Sequence, residues 1–183
     1  AAVVPPPHEV RVLDLRLARF PERAFRRALG RYRPDLVGLT GYTHESTEVK
    51  GLARDVRAAL PGATVVVGGH HATVAPQDYN VDAIDFIVRG AGCAPFAAVV
   101  DQLARGVRPA GIQNVLTAGR DFDEAATHDW PSFPDPATLP FPRRDLWDIH
   151  DYTSVWLAER PRDWVTLFPP VAMVRTSFGC TMR

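Results

Sequence analysis

From Leu36 to Gly69 the chain runs LVGLT, then GYTHESTEVKGLARDVRAALPGA, then TVVVGG. The outer pieces are short apolar runs, Leu36 to Thr40 and the β-branched Thr64 to Val67, as strands require. Between them Val49, Leu52, Ala53, Val56 and Leu60 fall on one face of a helix, which Pro61-Gly62 stops. Strand, helix and strand at this spacing make a βαβ unit. Two strands joined by a helical crossover lie parallel, in a sheet covered on both faces.

The pattern extends in both directions. Upstream, Pro21 opens a helix whose Phe25, Ala28, Leu29 and Tyr32 recur at helical spacing. Before it, Val10 to Leu17 carries Val10, Val12, Leu13, Leu15 and Leu17 and reads as a further strand. Downstream, Asp85-Phe86-Ile87-Val88 is a strand ending in Gly90, and Phe96, Val99, Val100 and Leu103 mark one face of the next helix. The expected fold is therefore α/β, a doubly wound parallel sheet. Past Gly106 the pattern fades. Ile112 to Leu116 reads as one strand of a small hairpin. Residues 129–147 hold five prolines, Pro131, Pro134, Pro136, Pro140 and Pro142, as an extended linker does. Val171 to Thr176 is a last apolar strand leading into Cys180.

The start is irregular. If Val3-Val4 is a strand beside Val10 to Leu17, too few residues join them for a parallel crossover. Either the first run lies outside the sheet, or a helix is missing between Pro7 and His8.

Composition narrows the function classes. There are 21 basic and 21 acidic residues in 183, so net charge is zero and nothing points to nucleic acid. No apolar run reaches the roughly 18 residues that a membrane span needs. Two cysteines, Cys93 and Cys180, make no disulfide framework. A cytoplasmic location is expected. Oligomeric state cannot be read.

In parallel α/β sheets, ligands bind beyond the carboxyl ends of the strands. Three segments stand there. Thr40-Gly41-Tyr42-Thr43 offers a small shelf above its strand, although Thr43 or Ser46 could equally be the cap of the next helix. Gly68-Gly69-His70-His71-Ala72-Thr73 lets backbone approach a flat ligand, as it would also serve a tight turn. Arg89-Gly90-Ala91-Gly92-Cys93 precedes a helix with Pro95 near its start. Its glycines could cradle a phosphate or amide, but their spacing matches neither a dinucleotide fingerprint nor a P-loop. Cys93 has no histidine–acid partner identifiable in sequence, and an ordinary thiol is the simpler reading.

Together these segments resemble the cobalamin-binding domain of the B12-dependent radical S-adenosylmethionine (SAM) enzymes. The central match covers residues 34–104. That family carries Asp-Leu-Val-Gly-Leu-Thr, then Gly-Gly-x-His-x-Thr with a proline shortly after, here Gly68 to Thr73 and Pro76. It next carries Gly-Glu-Gly-Glu before a helix. Here both glutamates are replaced, by Ala91 and Cys93. Leu139-Pro140-Phe141-Pro142 is similar to the segment joining the two domains of these enzymes. Thr176-Ser177-Phe178-Gly179-Cys180 is similar to the entry to a radical SAM barrel, where Cys-x₃-Cys-x₂-Cys holds a [4Fe–4S] cluster.

The resemblance implies a cobalamin-binding domain over residues 1–108, a hairpin and linker over 109–168, and the start of a truncated radical SAM domain over 169–183. It implies cobalamin held by Thr40, Gly41, Tyr42, Thr43, Gly68, Gly69, His70, His71, Thr73, Gly90 and Gly92. Cys180 would be a cluster ligand. The [4Fe–4S] cluster and SAM would serve the parent protein only, so this chain alone is expected to be inactive. No Asp-x-His-x-x-Gly motif is present, which implies cobalt without a protein histidine. The implied reaction is methylation of an unactivated carbon in a small-molecule or lipid substrate, through methylcobalamin and a 5′-deoxyadenosyl radical. Gly41-Tyr42-Thr43-His44 and the stretch from Gly68 to Pro76 are similar to hopanoid C-methylases. A B12-dependent cyclase or rearrangement enzyme, and a non-catalytic cobalamin carrier or sensor, are the competing expectations.

Overall fold

A computed structural model describes residues 2–120, 122–127, 135–148 and 150–154. Four strands form one sheet: β1 (Leu36–Thr40), β2 (Thr64–Gly68), β3 (Phe86–Val88) and β4 (Val115–Thr117), in that spatial order. β1, β2 and β3 are parallel, and β4 runs antiparallel to β3. The helices are α1 (Pro21–Tyr32), α2 (Ser46–Ala59), α3 (His70–Val74) and α4 (Cys93–Ala104). The α/β class read from the sequence is the class observed, in a sheet that is parallel except at β4.

Strand side chains alternate between two faces, and each face has its own core. Leu39, Val65, Val67, Ile87 and Leu116 pack with Phe25 and Leu29 of α1 and Val49, Ala53 and Val56 of α2. Val66, Phe86 and Val88 pack with Val99 of α4, and Phe96 and Leu103 close over them. Each fully buried Val, Leu, Ile or Phe contributes about 1.5–3 kcal/mol relative to exposure. The central strand β2 is covered on both sides, which is why its sequence is an unbroken β-branched run.

One side-chain lock secures the amino ends of the strands. Arg57, in the last turn of α2, donates to Pro61 O and Ala63 O at 3.0 Å each and to Asp85 Oδ2 at 2.7 Å. The same Asp85 oxygen accepts the Val65 N–H at 2.7 Å.

Two expectations are corrected. Residues 8–14 form no strand, and Leu15–Leu17 is one 3-10 turn. The Asp14 carboxylate accepts the Arg16 N–H at 3.0 Å, a local bond that turns the chain where a strand would continue. Alternating apolar residues supply a face to bury but not a neighbouring strand edge, and β1 is an edge of the sheet. Val3 and Val4 likewise lie in a turn outside the sheet. Near Ile112 the strand starts later, at Val115, and pairs with β3, so the sheet extends past residue 108. The expected strand at residues 171–176 and Cys180 lie outside the described residues.

The segment before α1 is tied down at two points. The Arg11 guanidinium sits 4.3 Å from the centre of the Tyr32 ring. The Tyr152 hydroxyl, from a helical turn at residues 150–154, donates to Asp14 Oδ2 at 2.9 Å. Bonding to Arg16 above all holds the Asp14 carboxyl down at about 2. Burial, then the bond to Asp14, pushes the Tyr152 phenol above its ordinary value. The contact therefore holds from about pH 4 upward. It is lost in acid as pH falls towards 2, and in alkali as pH rises through the elevated phenol pKa. Subtracting the 295 nm titration of Tyr152→Phe from that of the parent should leave one phenol with a midpoint above 10. A midpoint at or below 10 would mean the contact does not form in solution.

Candidate cofactor site

The carboxyl ends of β1, β2 and β3 lie together, and the loops that follow them are those the sequence singles out. A cleft of about 3090 Å³ runs from residues 8–16 past the outer edge of β1 to this face. Thr40, Gly41, Tyr42, Gly69 and His70 line its end, with Glu45 beside them. Thr43, Gly68, His71, Thr73, Gly90 and Gly92 are not on its wall.

The β1 loop is shaped by Glu45. Its Oε2 accepts the Tyr42 N–H at 2.7 Å and so closes the turn Thr43–Glu45 that leads into α2. Neither Thr43 nor Ser46 caps α2 with its side chain. Tyr42 is 60% exposed. Its ring is parallel to that of His44 within 3°, the centres 6.1 Å apart.

The β2 loop turns at Gly69, whose φ is +97° and ψ −165°. That region is open to glycine almost alone. A β-carbon on Gly69 would also run into Thr40 Oγ1. One on Gly41 would lie 2.8 Å from Val49 Cγ2. The fold itself therefore demands both glycines. Gly68 and Gly92 differ: added β-carbons would find ordinary contacts with Val88, at 3.6 and 3.5 Å. No backbone or packing requirement explains glycine at those two positions.

The two adjacent histidines have opposite settings. His70 is exposed and lines the cleft. His71 is 3% exposed and both its ring nitrogens are engaged. Nδ1 is 3.3 Å from Thr43 Oγ1 and Nε2 is 3.1 Å from Asp78 Oδ2. Its ring meets Tyr79 edge-on at 5.2 Å. Tyr79 is fully buried, its hydroxyl has no hydrogen-bond partner among the described residues, and burial pushes its pKa up to about 12. Asp78 and Tyr79 were not singled out from the sequence. They follow Pro76 in a single 3-10 turn, which leaves no periodic signal.

Thr73 joins the next pair of loops. Its hydroxyl donates to Gly69 O at 2.8 Å and accepts the Gly90 N–H at 2.8 Å. Among the described residues no group of three His, Cys, Asp or Glu side chains could hold a metal ion. No described helix is long and apolar enough to cross a membrane.

Residues 6–100 match the model of the B12 binding domain. The chain belongs to that family. The whole chain, of which this cobalamin-binding domain is part, is also 26% identical, over 98% of its length, to a Pyrococcus horikoshii protein named Uncharacterized methyltransferase PH0819. It spans 37% of that relative's length. No solved structure gives a significant match. The residues present are compatible with a flat macrocycle: Thr40, Gly41 and Gly69 bring small side chains or none to the cleft lining at this face.

Proposed function

We propose that this domain holds cobalamin for a longer methyltransferase of the radical SAM type. The match of residues 6–100 to the B12 binding domain carries the cofactor, and the relative's printed name supports methyl transfer. Cobalamin, when bound, supplies a methyl group for transfer to a substrate. The chain's own part is to bind and orient. Gly41 and Gly69 let the first two loops turn as they do, Gly68 and Gly92 are the glycines that no packing demands and that a ligand would explain, and Tyr42 stands beside the cleft with its ring exposed. Both nitrogens of His71 are already bonded within the protein, so it is not free to ligate cobalt. A small-molecule or lipid substrate would meet the cofactor from the open side of the cleft.

The iron–sulfur part of the proposal rests on Cys180 and its resemblance to the first cysteine of Cys-x₃-Cys-x₂-Cys. In protein extended past Arg183 along its natural reading frame, anaerobic reconstitution should give a [4Fe–4S] cluster and release 5′-deoxyadenosine from SAM. Cys180→Ala in that protein should abolish both. Retention of SAM cleavage in the variant would reject Cys180 as a cluster ligand; no cluster and no 5′-deoxyadenosine from the extended protein itself would reject the radical SAM reading. Hydroxocobalamin binding without any cluster in the extended protein would favour the carrier or sensor.

A further inference from the structure

The backbone ladder between β1 and β2 ends at the pair Thr40 and Gly68, and that between β2 and β3 at Val67 and Ile87. Beyond these rungs no strand pairing fixes how far apart the three loops stand. Two side chains from α3 span the gaps. His71 reaches sideways to Thr43 in the β1 loop, and is itself braced by Asp78. Thr73 bonds Gly69 in the β2 loop and Gly90 in the β3 loop with one hydroxyl. The sequence spaces them two apart within a single turn of helix, so one short element addresses all three loops.

Neither side chain is on the cleft wall. Losing either would release the spacing of the loops whose residues do line the cleft. An ionised Asp78 can only accept, so Nε2 donates to it. Nδ1 then accepts from the Thr43 hydroxyl when the ring is neutral, or donates to it when the ring is charged.

We infer that His71 and Thr73 are positioning residues that hold the three strand-end loops at the spacing cobalamin needs. The inference rests on the cobalamin reading of this face. Preordering of loops raises affinity by removing an ordering cost at the moment of binding.

The test uses the whole chain, titrated with hydroxocobalamin and followed by visible absorbance. Amide hydrogen exchange at Gly90, without ligand, is measured alongside. Thr73→Val keeps the shape and removes the hydroxyl. It should weaken binding by about tenfold, the worth of one hydrogen bond, and speed exchange at Gly90. Thr73→Ser restores the hydroxyl and should bind within about threefold of the parent, with Gly90 protected again. Thr43→Val removes the partner of His71 on an exposed loop and should also weaken binding by about tenfold. Combining it with His71→Gln should weaken binding by less than the sum of the two single effects, because the two residues share one bond. Parent-like affinity in both Thr73→Val and Thr43→Val, or unchanged Gly90 exchange in Thr73→Val, overturns the inference. If the parent itself fails to bind hydroxocobalamin, the cobalamin reading falls, and this inference with it. If the parent binds and the valine variants bind equally, only the positioning role falls.

Discussion

Gly69→Ala should destabilise the domain by about 3 kcal/mol and abolish hydroxocobalamin binding, whereas Gly68→Ala should leave stability within about 0.5 kcal/mol of the parent. The two glycines are neighbours, yet different physics holds them. At Gly69 the backbone sits at φ +97°, and a β-carbon would run into Thr40 Oγ1. Any side chain must strain the turn or push Thr40 out of the floor. Loss of binding there would report on the fold as much as on the ligand. At Gly68 a methyl group meets Val88 O at 3.6 Å and Val88 Cβ at 3.8 Å, which is ordinary packing. A fall of tenfold or more in affinity for Gly68→Ala, with the thermal midpoint unchanged, would show that this glycine is kept for the ligand. Equal affinity would remove Gly68 from the site. Gly92→Ala, whose β-carbon would meet Val88 Cγ1 at 3.5 Å, is the parallel test.

The second large effect is expected far from that face. Asp85→Ala should cost about 2–3 kcal/mol, which for a domain of this size lowers the thermal midpoint by about 10 °C. One carboxylate oxygen accepts from both Arg57 and the Val65 N–H. Its removal leaves a strand amide unpaired and a partly buried guanidinium with only two carbonyls for company. Asp85→Asn keeps an acceptor for Val65 and gives up the charge, so it should cost about half as much. Hydroxocobalamin affinity, measured well below the melting range, should be unchanged in both. A stability loss under about 0.5 kcal/mol in Asp85→Ala would show that the lock does not form.

The helices and the parallel strands were readable because each buries a face whose period is its own signature. α2 shows this best, with Val49, Ala53 and Val56 buried as the spacing requires. The same logic misled at Val10 to Leu17. Alternation there describes a chain that could sit in a sheet, but sitting in one needs a free edge at bonding distance, which is a tertiary fact. α3 and the turn after it were missed for the opposite reason. One turn of helix is shorter than any period that could reveal it. The strand-end segments of the candidate site were legible as glycine-bearing ends. What sequence could not separate was a glycine the backbone needs, as at 69, from one it does not, as at 68. Nor could it pair His71 with Thr43, 28 positions away.

The lock through Arg57 and Asp85 ties the amino ends of the strands, while the glycines and the loops they permit stand at the carboxyl ends. Mutation therefore meets two unequal ends of one sheet. Substitutions at loop positions that carry no steric demand, such as Gly68 and Gly92, leave that lock untouched. A lineage could change what it accommodates on one rim while the other keeps the chain folded. Room for change thus lies on one rim only, and there only between the two glycines, Gly41 and Gly69, that the fold holds fixed.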